Sequence, residues 1–109
     1  MARRHIQIEE TIAHHAANFL ARESTTNALL TVTHAELADD LKNATIFLTV
    51  LPEKEEVSAL KLAKRLRSDL REYVRKNSFL HPIPFFEFEI DYGEKNRQRV
   101  DELTRKKTP

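Results

Sequence analysis

The chain has no cysteine, which removes disulfides, thiolate metal sites and cysteine nucleophiles and fits a reducing compartment. Its single glycine, Gly93, excludes any Gly-rich loop that cradles phosphate through bare backbone. Long apolar runs are missing too; none approaches the roughly 20 residues of a membrane span. The opening Met-Ala-Arg-Arg-His lacks the apolar segment of a secretory signal, so the expected compartment is the cytoplasm. An excess of either charge is also lacking. Lys and Arg number 18 against 17 Asp and Glu, net +1, so any electrostatic footprint has to come from segregation along the chain. At 109 residues the expectation is one domain with a single modest core.

Segregation is what the middle of the chain supplies. Plotted at about 100° per residue, Val57 to Lys76 divides into two faces. Ala59, Leu62, Ala63, Leu66, Leu70, Tyr73 and Val74 form an apolar stripe. Lys61, Lys64, Ser68, Arg71 and Arg75 line the other side, flanked by Arg65, Arg67 and Lys76. Seven cations against Asp69 and Glu72 point to a polyanionic partner, with these side chains expected at the surface. Arg3 and Arg4 add a basic lead at the N-terminus.

Around this helix the pattern is mixed. Ile6 to Glu23 carries Ile8, Ile12, Ala16 and Phe19 as one stripe, predicting a first helix. The polar run from Arg22 to Asn27 reads as a connector. Leu29–Leu37 and Ala44–Leu51 alternate as strands around the turn Ala38-Asp39-Asp40-Leu41-Lys42-Asn43, predicting an antiparallel hairpin. Pro52 ends the second strand, and Glu53 to Glu56 suit the start of the long helix. Pro82 and Pro84 stop helical continuation. Phe86, Phe88 and Ile90 then alternate with Phe85, Glu87 and Glu89 in a third strand. That strand could lie beside the second, parallel to it, or beyond the first. Glu94 to Lys107 predicts a last helix anchored by Val100 and Leu103. The fold class is α+β: two layers, a three-stranded sheet with helices on one face, order α-β-β-α-β plus a C-terminal helical tail. Residues 1–93 make the domain and 94–109 the basic tail.

No catalytic constellation emerges. His14 and His15 are adjacent, hence about 100° apart on a helix, and cannot share a metal; His15 borders the apolar stripe as a packed side chain. Asp39-Asp40 belongs to a turn, Glu53 to Glu56 to a helix start, and no nucleophile elbow is present. Phe47 and Phe85, on the outer sheet face, are expected to pack under the C-terminal helix or a helix edge rather than to stack on bases.

The element order resembles the K-homology type II fold, and four stretches resemble the ribosome-binding factor A family. These are Phe19-Leu20-Ala21-Arg22-Glu23; Thr31-Val32-Thr33 with Asp40-Leu41-Lys42-Asn43-Ala44-Thr45-Ile46-Phe47-Leu48-Thr49-Val50-Leu51; Leu66-Arg67-Ser68 with Leu70; and Pro84 to Asp91 with Arg99-Val100-Asp101-Glu102-Leu103. The family's Ala-x-Gly kink aligns with Leu62-Ala63-Lys64, which has no glycine, leaving open whether the long helix bends there. The family's Asp-Pro-Arg-Leu loop is absent from Ser24–Asn27. The resemblance implies a non-enzymatic monomer without cofactor, small-molecule ligand or membrane. It would bind the small ribosomal subunit and its 16S rRNA late in maturation. RNA-binding candidates are Arg3, Arg4, Lys61, Lys64, Arg65, Arg67, Ser68, Arg71, Arg75 and Lys76. A cationic helix could instead dock an acidic protein partner. A generic K-homology RNA binder is disfavoured because the Gly-x-x-Gly clamp is missing.

Overall fold

The computed structural model describes residues 2–23 and 27–107, with side chains over 5–23 and 27–101. Helix α1 (Ala2–Glu23) leads into strands β1 (Leu29–Leu37) and β2 (Asn43–Leu51). A single 3₁₀ turn, Glu53–Glu55, opens α2 (Glu56–Arg65); α3 (Arg67–Asn77), β3 (Phe85–Ile90) and α4 (Tyr92–Lys107) follow. Sheet order is β1-β2-β3. The hairpin β1–β2 is antiparallel, and β3 runs parallel to β2, from Asn43↔Phe85 to Leu48↔Ile90, which decides the placement that the sequence left open.

Alternation along the strands builds the core. Ala44, Ile46, Leu48 and Val50 of β2 and Phe86, Phe88 and Ile90 of β3 are buried against the helical layer. Ile12, Ala16, Phe19 and Leu20 of α1, Ala59 and Ala63 of α2, and Leu70 and Val74 of α3 close over them. Each large side chain removed from water here contributes about 1.5–3 kcal/mol. The hairpin turn uses an uncommon backbone: Leu41 has φ 64°, and Lys42 N–H donates to Asp40 Oδ1 at 2.9 Å. The outer edge of β1 is tied to α1, since Leu37 N–H donates to Glu9 Oε2 at 2.7 Å.

Two expectations change. The long helix, read as one element with a bend near Lys64 left open, is two segments, broken at Leu66 with φ −90° and ψ 6°. Leu66 N–H is shared between the carbonyls of Leu62 (3.2 Å) and Ala63 (3.0 Å), a tightened last turn. Arg67 Nε donates to the Lys64 carbonyl at 2.9 Å, so a side chain satisfies a group that the break leaves open. A bend without glycine is thus held by local donors. The second change concerns α4. Val100, an expected anchor, is 59% exposed. Lys95 provides an attachment instead, reaching Glu53 (3.0 Å) and Glu56 (2.8 Å). Arg99 also meets Glu53, at 2.9 Å. The side chains of Arg3, Arg4 and Leu103, and residues 24–26 of the connector, lie outside the described residues.

Candidate nucleic-acid interface

Helices α2 and α3 carry the nominated cations from Lys61 to Lys76, of which Lys64, Arg67 and Arg71 reach edge strand β3 or its entry, and the structure sorts them by what they touch. Lys61, Arg65 and Lys76 are exposed, with no ion pair among the described residues. Arg75 pairs with Glu72 one turn away. Both partners are at least half exposed and such pairs are weak, so Arg75 stays open to anion contact. Arg67 and Lys64 converge on Glu87 of β3, at 2.7 and 3.8 Å. Ser68 sits in the first turn of α3, between them and Arg71.

Arg71 departs from the expectation that all these side chains are free at the surface. It is half-buried; its Nη2 donates to the Ile83 carbonyl (2.7 Å) and its Nε to that of Pro84 (3.2 Å). The guanidinium lies 4.4 Å above the Phe85 ring. The residue thus fastens the entry of β3 to α3, a role set by five fork-shaped donors on a flat, weakly hydrated cation. Phe85 is held by Arg71 rather than under α4, and stays 64% exposed. Phe47 stacks on His34, with centroids 4.6 Å apart and planes within 5°.

Between α3 and the starts of β2 and β3 lies an open cleft of about 480 Å³, rimmed by Asn43, Thr45, Arg67, Ser68, Arg75 and Phe85. Arginines, two hydroxyls, an amide and an exposed ring in one cleft can take phosphate oxygens and an unpaired base together. Periodicity located the arginines. It missed Asn43, Thr45 and Glu87 as members, because their position depends on β3 running beside β2 under the helix break.

Elsewhere, titratable groups serve architecture. Asp91 Oδ1 accepts from Glu94 N–H (3.0 Å), capping α4, and its Oδ2 accepts from Thr33 Oγ1 of β1 (2.6 Å); both bonds hold its carboxyl below the usual range, and His34 adds a smaller effect. Hydrogen bonds and charge from Lys95, then Arg99, lower Glu53, and Glu56 followed by Glu53 raises Lys95. Burial, with a smaller effect from His14, lowers His15, which packs edge-on against Tyr73 at 5.9 Å. Among the described residues no cluster of three His, Asp or Glu could hold a metal ion, and no helix is long and apolar enough to cross a membrane.

Fold and flank together define a small two-layer α+β domain presenting cations beside an open cleft. The chain belongs to the ribosome-binding factor A family, whose family model matches residues 4–104. It is 39% identical over 80 residues to ribosome-binding factor A of Beutenbergia cavernae, covering 70% of this chain and 48% of that one. It is 33% identical over 82 residues to that of Staphylococcus saprophyticus, covering 71% and 72%. The chain therefore spans about half the length of the first relative. Among solved structures it is similar to the crystal structure of ribosome-binding factor A from Thermus thermophilus, with TM-score 0.71 and 20% identity over 79% of this chain and 93% of that one. It is also similar to a homology model of the Thermus thermophilus protein fitted into a cryo-EM map of a 30S complex, with TM-score 0.68 and 20% identity over 78% and 92%. At these identities the structural likeness establishes the α+β fold.

Proposed function

We propose that this chain binds the small ribosomal subunit through 16S rRNA during late maturation and rRNA processing, as a cytoplasmic monomer and without catalysis. The observation carrying the reading is the segregated flank. On a chain of net charge +1, Lys61, Lys64, Arg65, Arg67, Arg75 and Lys76 are exposed along α2 and α3. At 1.5 Å per residue they extend over roughly 20 Å, enough to meet several phosphates. Family membership supports the ribosomal partner, and the 30S complex of the Thermus thermophilus relative supports the small subunit.

Electrostatics gives the mechanism. Each phosphate neutralised by a Lys or Arg releases condensed counterions, so affinity falls steeply as salt rises. Ser68, Asn43 and Thr45 supply directional bonds that orient the strand without dominating affinity. Arg71, committed to the Ile83 and Pro84 carbonyls, shapes the cleft and presents the Phe85 ring. Arg3 and Arg4 extend the proposed surface in sequence.

Co-sedimentation tests the reading. The chain should track immature small subunits, be absent from translating ribosomes, and be released by RNase. Association that survives RNase digestion would assign the flank to an acidic protein partner instead.

A further inference from the structure

Glu87 stands on the outer face of β3, and its carboxylate lies between the two cations that flank the helix break. Arg67 Nη1 donates to Oε2 at 2.7 Å, and Lys64 Nζ lies 3.8 Å from Oε1. The side chains of Arg67, Lys64 and Glu87 are 44%, 43% and 45% exposed, so solvent and a ligand both reach them. Two oxygens of one anion facing a Lys and an Arg is also what a phosphodiester offers through its two non-bridging oxygens. Arg67 is held a second time, by the Lys64 carbonyl, and would keep its place if Glu87 left.

We propose that Glu87 is a built-in competitor for phosphate, occupying the place of an RNA backbone phosphate between Lys64 and Arg67 and displaced when RNA docks. This rests on the flank being the rRNA-binding surface. A tethered carboxylate competes at high effective concentration, so an isolated anion gains little there. A polyanion that also engages Lys61, Arg65 and Arg75 gains enough from neighbouring phosphates to displace it. Glu87 therefore sets selectivity for an extended phosphate backbone over small anions.

The test compares Glu87→Gln with Glu89→Gln. Glu89 lies on the same outer face, is exposed and has no ion pair among the described residues, so its variant reports the general field alone. Binding to in vitro transcribed 16S rRNA should tighten about three- to fivefold in E87Q and change less than about twofold in E89Q, as expected for an exposed pair. The slope of log affinity against log salt should steepen in E87Q by up to about 0.7–0.9, because a displaced carboxylate no longer offsets one of the cations facing RNA. Inorganic pyrophosphate supplies an RNA-free arm: the Arg67 Nε–Hε NMR signal should move at lower concentration in E87Q than in wild type. Equal or weaker rRNA binding by E87Q, or an equal gain in E89Q, overturns the proposal. If neither protein binds rRNA but pyrophosphate moves Arg67 earlier in E87Q, the competitor role stands and the rRNA reading falls.

Discussion

At the scale of single residues, sequence pattern and structural role part company most clearly at Arg71. By periodicity it belongs with Lys64 and Arg75, yet its guanidinium is committed to two carbonyls and one ring. Truncation removes charge-assisted bonds and leaves acceptors in a half-buried corner without their donor. Arg71→Ala should therefore cost about 2 kcal/mol of unfolding free energy in urea titrations, while Arg65→Ala stays within about 0.5 kcal/mol. Leu41 offers the opposite case. Its positive φ strains a residue with a Cβ, so Leu41→Gly should stabilise the hairpin by about 0.5–1 kcal/mol in the same titration, net of glycine's entropy. His15 makes a pH prediction. Burial lowers its affinity for a proton in the folded state, so below about pH 6.5 the unfolded chain binds that proton first. The associated stability is present above that pH and declines as pH falls; His15→Gln should flatten this component between about pH 8 and 5.

At the scale of elements, β1, the hairpin and β3 were legible because period-2 alternation with one buried face leaves little freedom in register. β1 spans Leu29–Leu37 as read, and β2 begins one residue earlier than read. The break at Leu66 was not legible. Ala59, Ala63, Leu70 and Val74 would share one stripe on a straight helix as well, so the core pattern carries no sign of a bend. What holds the break is Arg67 reaching back to Lys64 and across to Glu87, and the second contact is set by tertiary placement. The mode of attachment of α4 was hidden for the same reason: Lys95 finds Glu53 and Glu56 across about 40 residues of chain. Lys95→Ala should accelerate amide exchange throughout α4 while leaving exchange in β2 near its wild-type rate. Asp91 caps the same helix with a lowered carboxyl, so its contribution persists above about pH 4 and is lost as acid protonates it.

At the scale of the whole molecule, 18 cations stand against 17 acids, and several of them pair locally, as Arg75 does with Glu72 and Lys95 with Glu53 and Glu56. Helices α2 and α3 carry six exposed cations: Lys61, Lys64, Arg65, Arg67, Arg75 and Lys76. Toward β1, away from the cleft edge at Phe85 and Glu87, the outer sheet face carries Glu36 beside the His34–Phe47 stack, where a phosphate backbone would be repelled. On the proposed function, the α2–α3 flank and the adjoining β3 edge would face rRNA, and the β1 side of the sheet would look away. The most direct measurement places a photo-crosslinking amino acid at position 65 or at position 36 and irradiates each protein bound to small subunits. Crosslinks from position 65 to 16S rRNA, with position 36 silent toward RNA, are the predicted result. RNA crosslinks from position 36 and none from position 65 would contradict the assignment of the cationic flank.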